Sequence, residues 1–205
     1  MRAGKIRRLI INMPPRYLKS LLASVAFPAW CLGHDPAAQI LCASYAQELA
    51  DKLSRDCRRI LASDWYRRIF ATRLSQERQA MSEFETTAQG CRLATSVGGV
   101  LTGRDADLIV IDDPLKPEEA LPEAQRRAAN EWFDHTLYSR LNDKLDGAIV
   151  LIMHRLHESL PSGLTRGTIW WATCWSRKIG RSCAFQRSPR TTKHSSSIRS
   201  GDRNF

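Results

Sequence analysis

Asp107-Leu108-Ile109-Val110-Ile111-Asp112-Asp113-Pro114 is the stretch on which the reading of this chain turns. Leu108 to Ile111 form an unbroken apolar run, rich in β-branched residues and too short for a helix. Such a run is expected to be a strand buried on both faces, as in a parallel sheet. Pro114 stops it at once, because proline has no N–H to give a ladder. Asp112 and Asp113 are thereby delivered to the carboxyl end of the strand, where open α/β sheets bind ligands. An apolar strand that hands two acids to this edge is the Walker B arrangement: one carboxylate for Mg²⁺, the next to polarise the attacking water. A buried strand ending in an Asx turn with solvated acids fits the same residues, so the context decides.

Upstream, Arg8 to Asn12 is a short apolar strand, and Pro14 and Pro15 forbid helix until about Arg16. Lys19-Ser20 then opens an apolar segment, Leu21 to Phe27, that suits a buried helix. Strand, loop, Lys-Ser, helix is the layout of a phosphate-binding loop, where backbone N–H groups and the helix N-terminus face the anion. Lys19 would reach the β- and γ-phosphates and the Ser20 hydroxyl would ligate Mg²⁺. The usual glycines are absent, and a proline-rich loop before an ordinary helix fits the bare pattern too.

Further strands are expected at Gln39–Ser44, Ser82–Thr87, Cys91–Val97 and Ala148–Met153. Helices are expected at 46–61, where Leu49, Leu53, Cys57 and Ile60 recur at helical spacing, and from about Glu123 to Asn142. Asp64 to Phe70 is a short amphipathic segment in which Trp65 and Tyr66 are expected to pack. Strands alternating with helices give an α/β fold with a mostly parallel sheet. Arg104, in the glycine-bearing loop before the central strand, has two readings: it stabilises phosphate charge, or it pairs with Asp105 or Asp107. His154, His157 and Glu158 leave a strand rather than lying on a helix with a further ligand, so a polar cluster near a nucleotide fits them better than a zinc site.

Composition adds limits. The chain has 205 residues, six scattered cysteines without a CxxC pair, and a net charge of +10. The cysteines fit reduced thiols in a cytosolic protein, and prolines and basic residues interrupt the only signal-peptide-like start. Residues 159–205 hold nine Lys and Arg against one acid, a surplus of eight, which leaves +2 on residues 1–158. The body is therefore nearly neutral, and the charge belongs to a Ser/Arg-rich tail that carries Trp170, Trp171 and Trp175 and no sustained period.

Taken together these stretches resemble the ATPase domain of bacteriophage terminase large subunits, of the kind found in prophages. Ile10 to Ser20 resembles that group's glycine-poor Walker A loop, and Ala43-Ser44-Tyr45-Ala46 resembles the strand end that follows it. Leu93 to Gly99, Leu101-Thr102-Gly103, Asp107 to Pro114, Glu131-Trp132 and Ser139 to Asp143 follow in the family's order. Gly147 to Met153 with Arg155-Leu156-His157-Glu158 completes the match, over roughly residues 6 to 158. The resemblance implies an additional-strand (ASCE-type) P-loop NTPase that uses ATP and Mg²⁺ to drive double-stranded DNA into a procapsid. It implies phosphate binding by Pro15, Arg16, Tyr17, Leu18, Lys19 and Ser20, with Mg²⁺ on Ser20 and Asp112. It places Asp113 as the catalytic carboxylate and Arg16 or Arg104 on the γ-phosphate, Arg104 from a neighbouring subunit. Arg155, His157 and Glu158 fall on the motif that couples hydrolysis to movement. Implied partners are the portal protein, the small terminase subunit and further copies in a ring, in the cytoplasm of a bacterial host and without a membrane.

Three departures qualify this. Asp105 stands where the family usually has glycine. The chain starts almost on its first strand, so the segment that holds the adenine base is expected to be missing or reduced. After Glu158 the resemblance fades, and the acid-poor tail lacks the carboxylates of the family's nuclease domain, so no endonuclease activity is expected. A frameshift accounts for the change of composition at 159; a basic, aromatic-bearing tail that binds nucleic acid is the other account. A truncated terminase ATPase is thus the leading expectation, with a non-catalytic prophage remnant that at most binds nucleotide or DNA as the alternative. A helicase-like ATPase sharing the two loops agrees less well with Ser96 to Gly99 and Ser139 to Asp143.

Overall fold

Side chains alternate faces along a strand, and in β6 (Leu108–Asp112) every residue on either face is buried. Leu108 and Val110 enter one apolar core, Ile109 and Ile111 the other. The same parity holds in β2 (Gln39–Ser44), with Ile40 and Cys42 on the first face and Leu41 and Ala43 on the second. It holds again in β7 (Ala148–Met153), with Val150 and Ile152 against Ile149, Leu151 and Met153. These strands form the centre of a sheet covered by helices on both sides. The computed structural model describes residues 6–12, 16–116, 118–119 and 122–153.

Among the described residues the sheet has seven strands in the order β1-β7-β6-β2-β5-β4-β3. β1 (Arg8–Asn12), β7, β6, β2 and β5 (Cys91–Ser96) run parallel. β4 (Glu83–Thr86) and β3 (Leu74–Gln79) extend the sheet antiparallel, with an irregular register between them. β7 lies between the strand that feeds the Lys-Ser loop and the strand that ends in the two acids. That interposed strand is the additional-strand arrangement that the resemblance implies.

One face is covered by a helix with wide π turns over Leu21–Ala26, continuing as α1 (Phe27–His34), together with α2 (Gln47–Ala62) and α3 (Asp64–Ile69). The π turns come just before Pro28, whose ring and missing N–H disturb a regular helix. The other face is covered by α4 (Glu123–Trp132), which opens into a π turn at Phe133–Leu137 and a 3₁₀ turn at Tyr138–Arg140. Glu123 is the helix start expected after Pro122, but regular α geometry ends ten residues short of Asn142. Tyr66 is buried and donates its hydroxyl to the Ala29 carbonyl at 2.7 Å, as packing requires, whereas Trp65 stays half-exposed. Cys42 and Cys57 lie in the core, where burial pushes the Cys57 thiol up to about 12 and keeps it protonated. Among the described residues no helix is long and apolar enough to cross a membrane.

Candidate functional site

Strand parity decides where the first acid points. Residues 108, 110 and 112 share a face, so Asp112 faces the helix that follows the Lys-Ser loop. On that helix Ser20 and Ser24 are four residues apart and lie on one side. The Ser24 hydroxyl donates to Asp112 Oδ2 at 2.8 Å, and the Ser20 side chain also hydrogen-bonds the Asp112 carboxyl. Asp112 is 1% exposed. Burial pushes its pKa up, and the neighbouring Asp113 charge pushes the same way; the two serine hydroxyls and Lys19 pull it down.

Asp113 leaves the strand and breaks its parity. Its backbone is left-handed, with φ 45°, and is held there by its N–H on the Ile152 carbonyl at 2.9 Å. Its own carbonyl accepts the Tyr45 N–H at 3.2 Å. The carboxylate so turned meets Lys19, whose Nζ lies 2.5 Å from both Oδ1 and Oδ2. Lys19 is 8% exposed and Asp113 18%, so the pair is mostly withdrawn from water.

The loop itself carries left-handed backbone at Arg16 (φ 66°) and Leu18 (φ 57°), where glycine would be unstrained. Non-glycine residues held there mark a segment whose shape is imposed by its surroundings, a frequent feature of ligand sites. Arg16, Tyr17 and Leu18 are exposed around Lys19. Leu18 is 63% exposed, so it has little packing to lose. Leu18→Gly is therefore expected to stabilise the protein by about 0.5–1 kcal/mol, the left-handed penalty less glycine's extra unfolded freedom. Thermal denaturation checks this as a rise of roughly 1–4 °C.

Asp112 Oδ1 is buried and has no hydrogen-bond partner. A carboxylate with one oxygen held and the other bare, beside a serine hydroxyl, fits a hard divalent cation. Mg²⁺ takes one or two protein oxygens and completes its shell with phosphate and water. Among the described residues no group of three or more His, Cys, Asp or Glu is placed to hold a metal ion.

Arg104 is elsewhere. It forks onto both carboxylate oxygens of Glu83, with Nη2 to Oε2 at 2.9 Å, and not onto Asp105 or Asp107. Asp107 is instead engaged by the Gln39 N–H and the Asn142 amide. Glu83 begins β4, three strands from β6, so Arg104 is anchored roughly 14 Å to the side of Asp112 at about 4.8 Å per strand. The structure thus brings Lys19, Ser20, Asp112 and Asp113 together and holds Arg104 apart from them. Pro15, Arg155, His157 and Glu158 lie outside the described residues, as does the 159–205 tail.

Sequence reading missed Ser24, Arg92 and the strand β3. Ser24 had a signal, its four-residue spacing from Ser20 on a helix. Arg92 had one too, as a charged residue beside Leu93 and Ala94 inside a strand. β3, Leu-Ser-Gln-Glu-Arg-Gln, is too polar to show the alternation of a half-buried strand.

No family model matches this chain, and no curated protein does. Solved structures do match. The large-terminase ATPase domain of Thermus phage P74-26 superposes with a TM-score of 0.55 at 13% identity, over 85% of this chain and 80% of that one. A point mutant of the same domain gives 0.55 at 14%, over 79% and 70%. The HK97 bacteriophage large terminase gives 0.53 at 12%, over 89% of this chain and 36% of the other. The α/β fold of this chain is accordingly similar to that of the large-terminase ATPase domains.

Proposed function

We propose that this chain is the ATPase core of a phage DNA-packaging terminase large subunit, hydrolysing ATP to drive translocation of double-stranded DNA. The observation that carries the proposal is the meeting of Lys19 with Asp113 beside the buried Asp112 and its serine hydroxyls. Lys19 is poised to exchange Asp113 for the β- and γ-phosphates. Released from Lys19, the Asp113 carboxylate would orient the attacking water. Ser20 and the bare oxygen of Asp112 would hold Mg²⁺, which supplies charge neutralisation between the phosphates. Pro15, Arg16, Tyr17 and Leu18 would wrap the phosphates from the loop. Arg16 is the nearer of the two arginines by sequence, and Arg104, on its Glu83 anchor, suits a γ-phosphate bound by a neighbouring copy better than its own. Residues 1–158 form the ATPase domain in this proposal, and Arg155, His157 and Glu158 couple hydrolysis to movement. Double-stranded DNA, the portal protein, the small subunit and a ring of like chains in the host cytoplasm are the proposed partners and setting. The 159–205 tail adds no nuclease.

A non-catalytic nucleotide binder is the second reading. It is favoured by the mutual satisfaction of Lys19 and Asp113, which ATP has to displace. Thermal denaturation of the full chain with ATP and Mg²⁺ tests nucleotide binding for both. ATP at a hundred times its Kd is expected to add about 2.7 kcal/mol, and Lys19→Ala to remove most of that gain. An ATP response identical in Lys19→Ala contradicts a site at this loop.

A further inference from the structure

Ser24 is not one of the residues that a phosphate-binding loop and an acid pair require, yet it is 1% exposed and its hydroxyl is on the Asp112 carboxylate. Its backbone is unusual as well. Pro28, four residues on, has no N–H to return to the Ser24 carbonyl. That carbonyl accepts from Arg92 Nη2 at 3.0 Å. Arg92 belongs to β5, where its register with Ile40 puts it on the same face of the sheet as Asp112. It is wholly buried beside the Cys42 and Cys57 thiols, and its Nε and Nη1 have no oxygen acceptor. A buried guanidinium with unsatisfied donors is costly, and such a group persists where it has a task.

We propose that Ser24, gripped from behind by Arg92 through its backbone carbonyl, is a positioning residue for Asp112, fixing Oδ2 so that Oδ1 faces the divalent cation. The inference rests on the functional reading above, since it assumes that Asp112 receives Mg²⁺ with the nucleotide. The chain of contacts runs from β5 through the π turns to the end of β6, so it ties the helix after the phosphate loop to the acid strand at a second point beyond Ser20. Removing a group that orients a metal ligand typically weakens metal binding about 10–100-fold.

The test is the Mg²⁺ concentration needed for half of the ATP-induced rise in melting temperature, with Mn²⁺ binding to the ATP complex followed by electron paramagnetic resonance as a readout independent of turnover. Ser24→Ala is expected to raise the required Mg²⁺ about tenfold or more and to weaken Mn²⁺ to a similar degree. Binding of ATP without a divalent cation is expected to stay within about twofold, and Ser24→Thr, which keeps the hydroxyl, to restore the metal response. Arg92→Lys, which replaces a rigid guanidinium by a flexible ammonium, is expected to fall between Ser24→Ala and the unmodified chain. An unchanged metal requirement in Ser24→Ala overturns the inference while leaving the ATP site standing. A loss of ATP binding without metal, or of ligand-free stability beyond a few degrees, overturns it too by making Ser24 a packing residue. An unmodified chain that ignores ATP at every Mg²⁺ concentration overturns the functional reading itself.

Discussion

Asp113→Asn is expected to lower the stability of the ligand-free protein by about 3 kcal/mol, because it leaves a buried ammonium without its carboxylate. Lys19 reaches both oxygens of Asp113, and the pair is more than four-fifths buried on each side. Asparagine tolerates the left-handed backbone that Asp113 adopts, so the substitution isolates the charge from the conformation. Thermal denaturation reads the loss as roughly 10 °C for a chain of this size. Lys19→Met combined with Asp113→Asn removes the stranded cation and is expected to recover most of it. ATP is expected to stabilise Asp113→Asn more than the unmodified chain, since Lys19 then has no Asp113 ion pair to break before it meets phosphate. A melting temperature unchanged to within a degree contradicts the buried pair.

Asp112→Asn is expected to do the reverse to stability and to abolish function. Asp112 is buried, its pKa is pushed up, and Oδ1 is unsatisfied. Its ionised form is thus less favourable in the folded chain than in the unfolded one. The folded state holds more protons between the ordinary carboxylate pKa and the raised one, so stability from this group falls as pH rises through that window and is level above it. Asparagine removes the cost, and a gain of about 1 kcal/mol is expected at neutral pH, shrinking toward zero below the ordinary carboxylate range. Mg²⁺-dependent hydrolysis is expected to fall at least about a hundredfold, as for loss of other groups that stabilise transition-state charge. Melting curves across pH for both proteins, beside phosphate release at saturating Mg²⁺, check the pair of effects. A ligand-free protein destabilised by Asp112→Asn at neutral pH contradicts the account of a strained, metal-ready carboxylate.

Much of this was legible in the chain because one signal was strong at each step. Leu108 to Ile111 and Ala148 to Met153 are apolar without interruption, which only a doubly covered strand accommodates. Lys19-Ser20 before an apolar helix and Asp112-Asp113 before Pro114 put a cation and two acids at the ends of parallel strands, and the sheet brings them together. What stayed hidden depends on contacts between elements far apart in sequence. Arg104 chose Glu83 over the nearer Asp105 and Asp107, because strand β4 brings that acid alongside and Asp107 is taken by Gln39 and Asn142. The polar strand β3 is recruited by its neighbour's backbone and not by its own pattern. Ser24 and Arg92 carried only weak signals, since a serine in a helix and an arginine in a strand gain meaning once parity places both behind Asp112.

The measurement that tests the central claim most directly is Mg²⁺-dependent release of phosphate from ATP by the 205-residue chain, run beside Lys19→Ala. The account predicts turnover above background that disappears on chelation of Mg²⁺ and in Lys19→Ala. Turnover that survives Lys19→Ala, or no turnover together with no ATP-dependent rise in melting temperature, contradicts it.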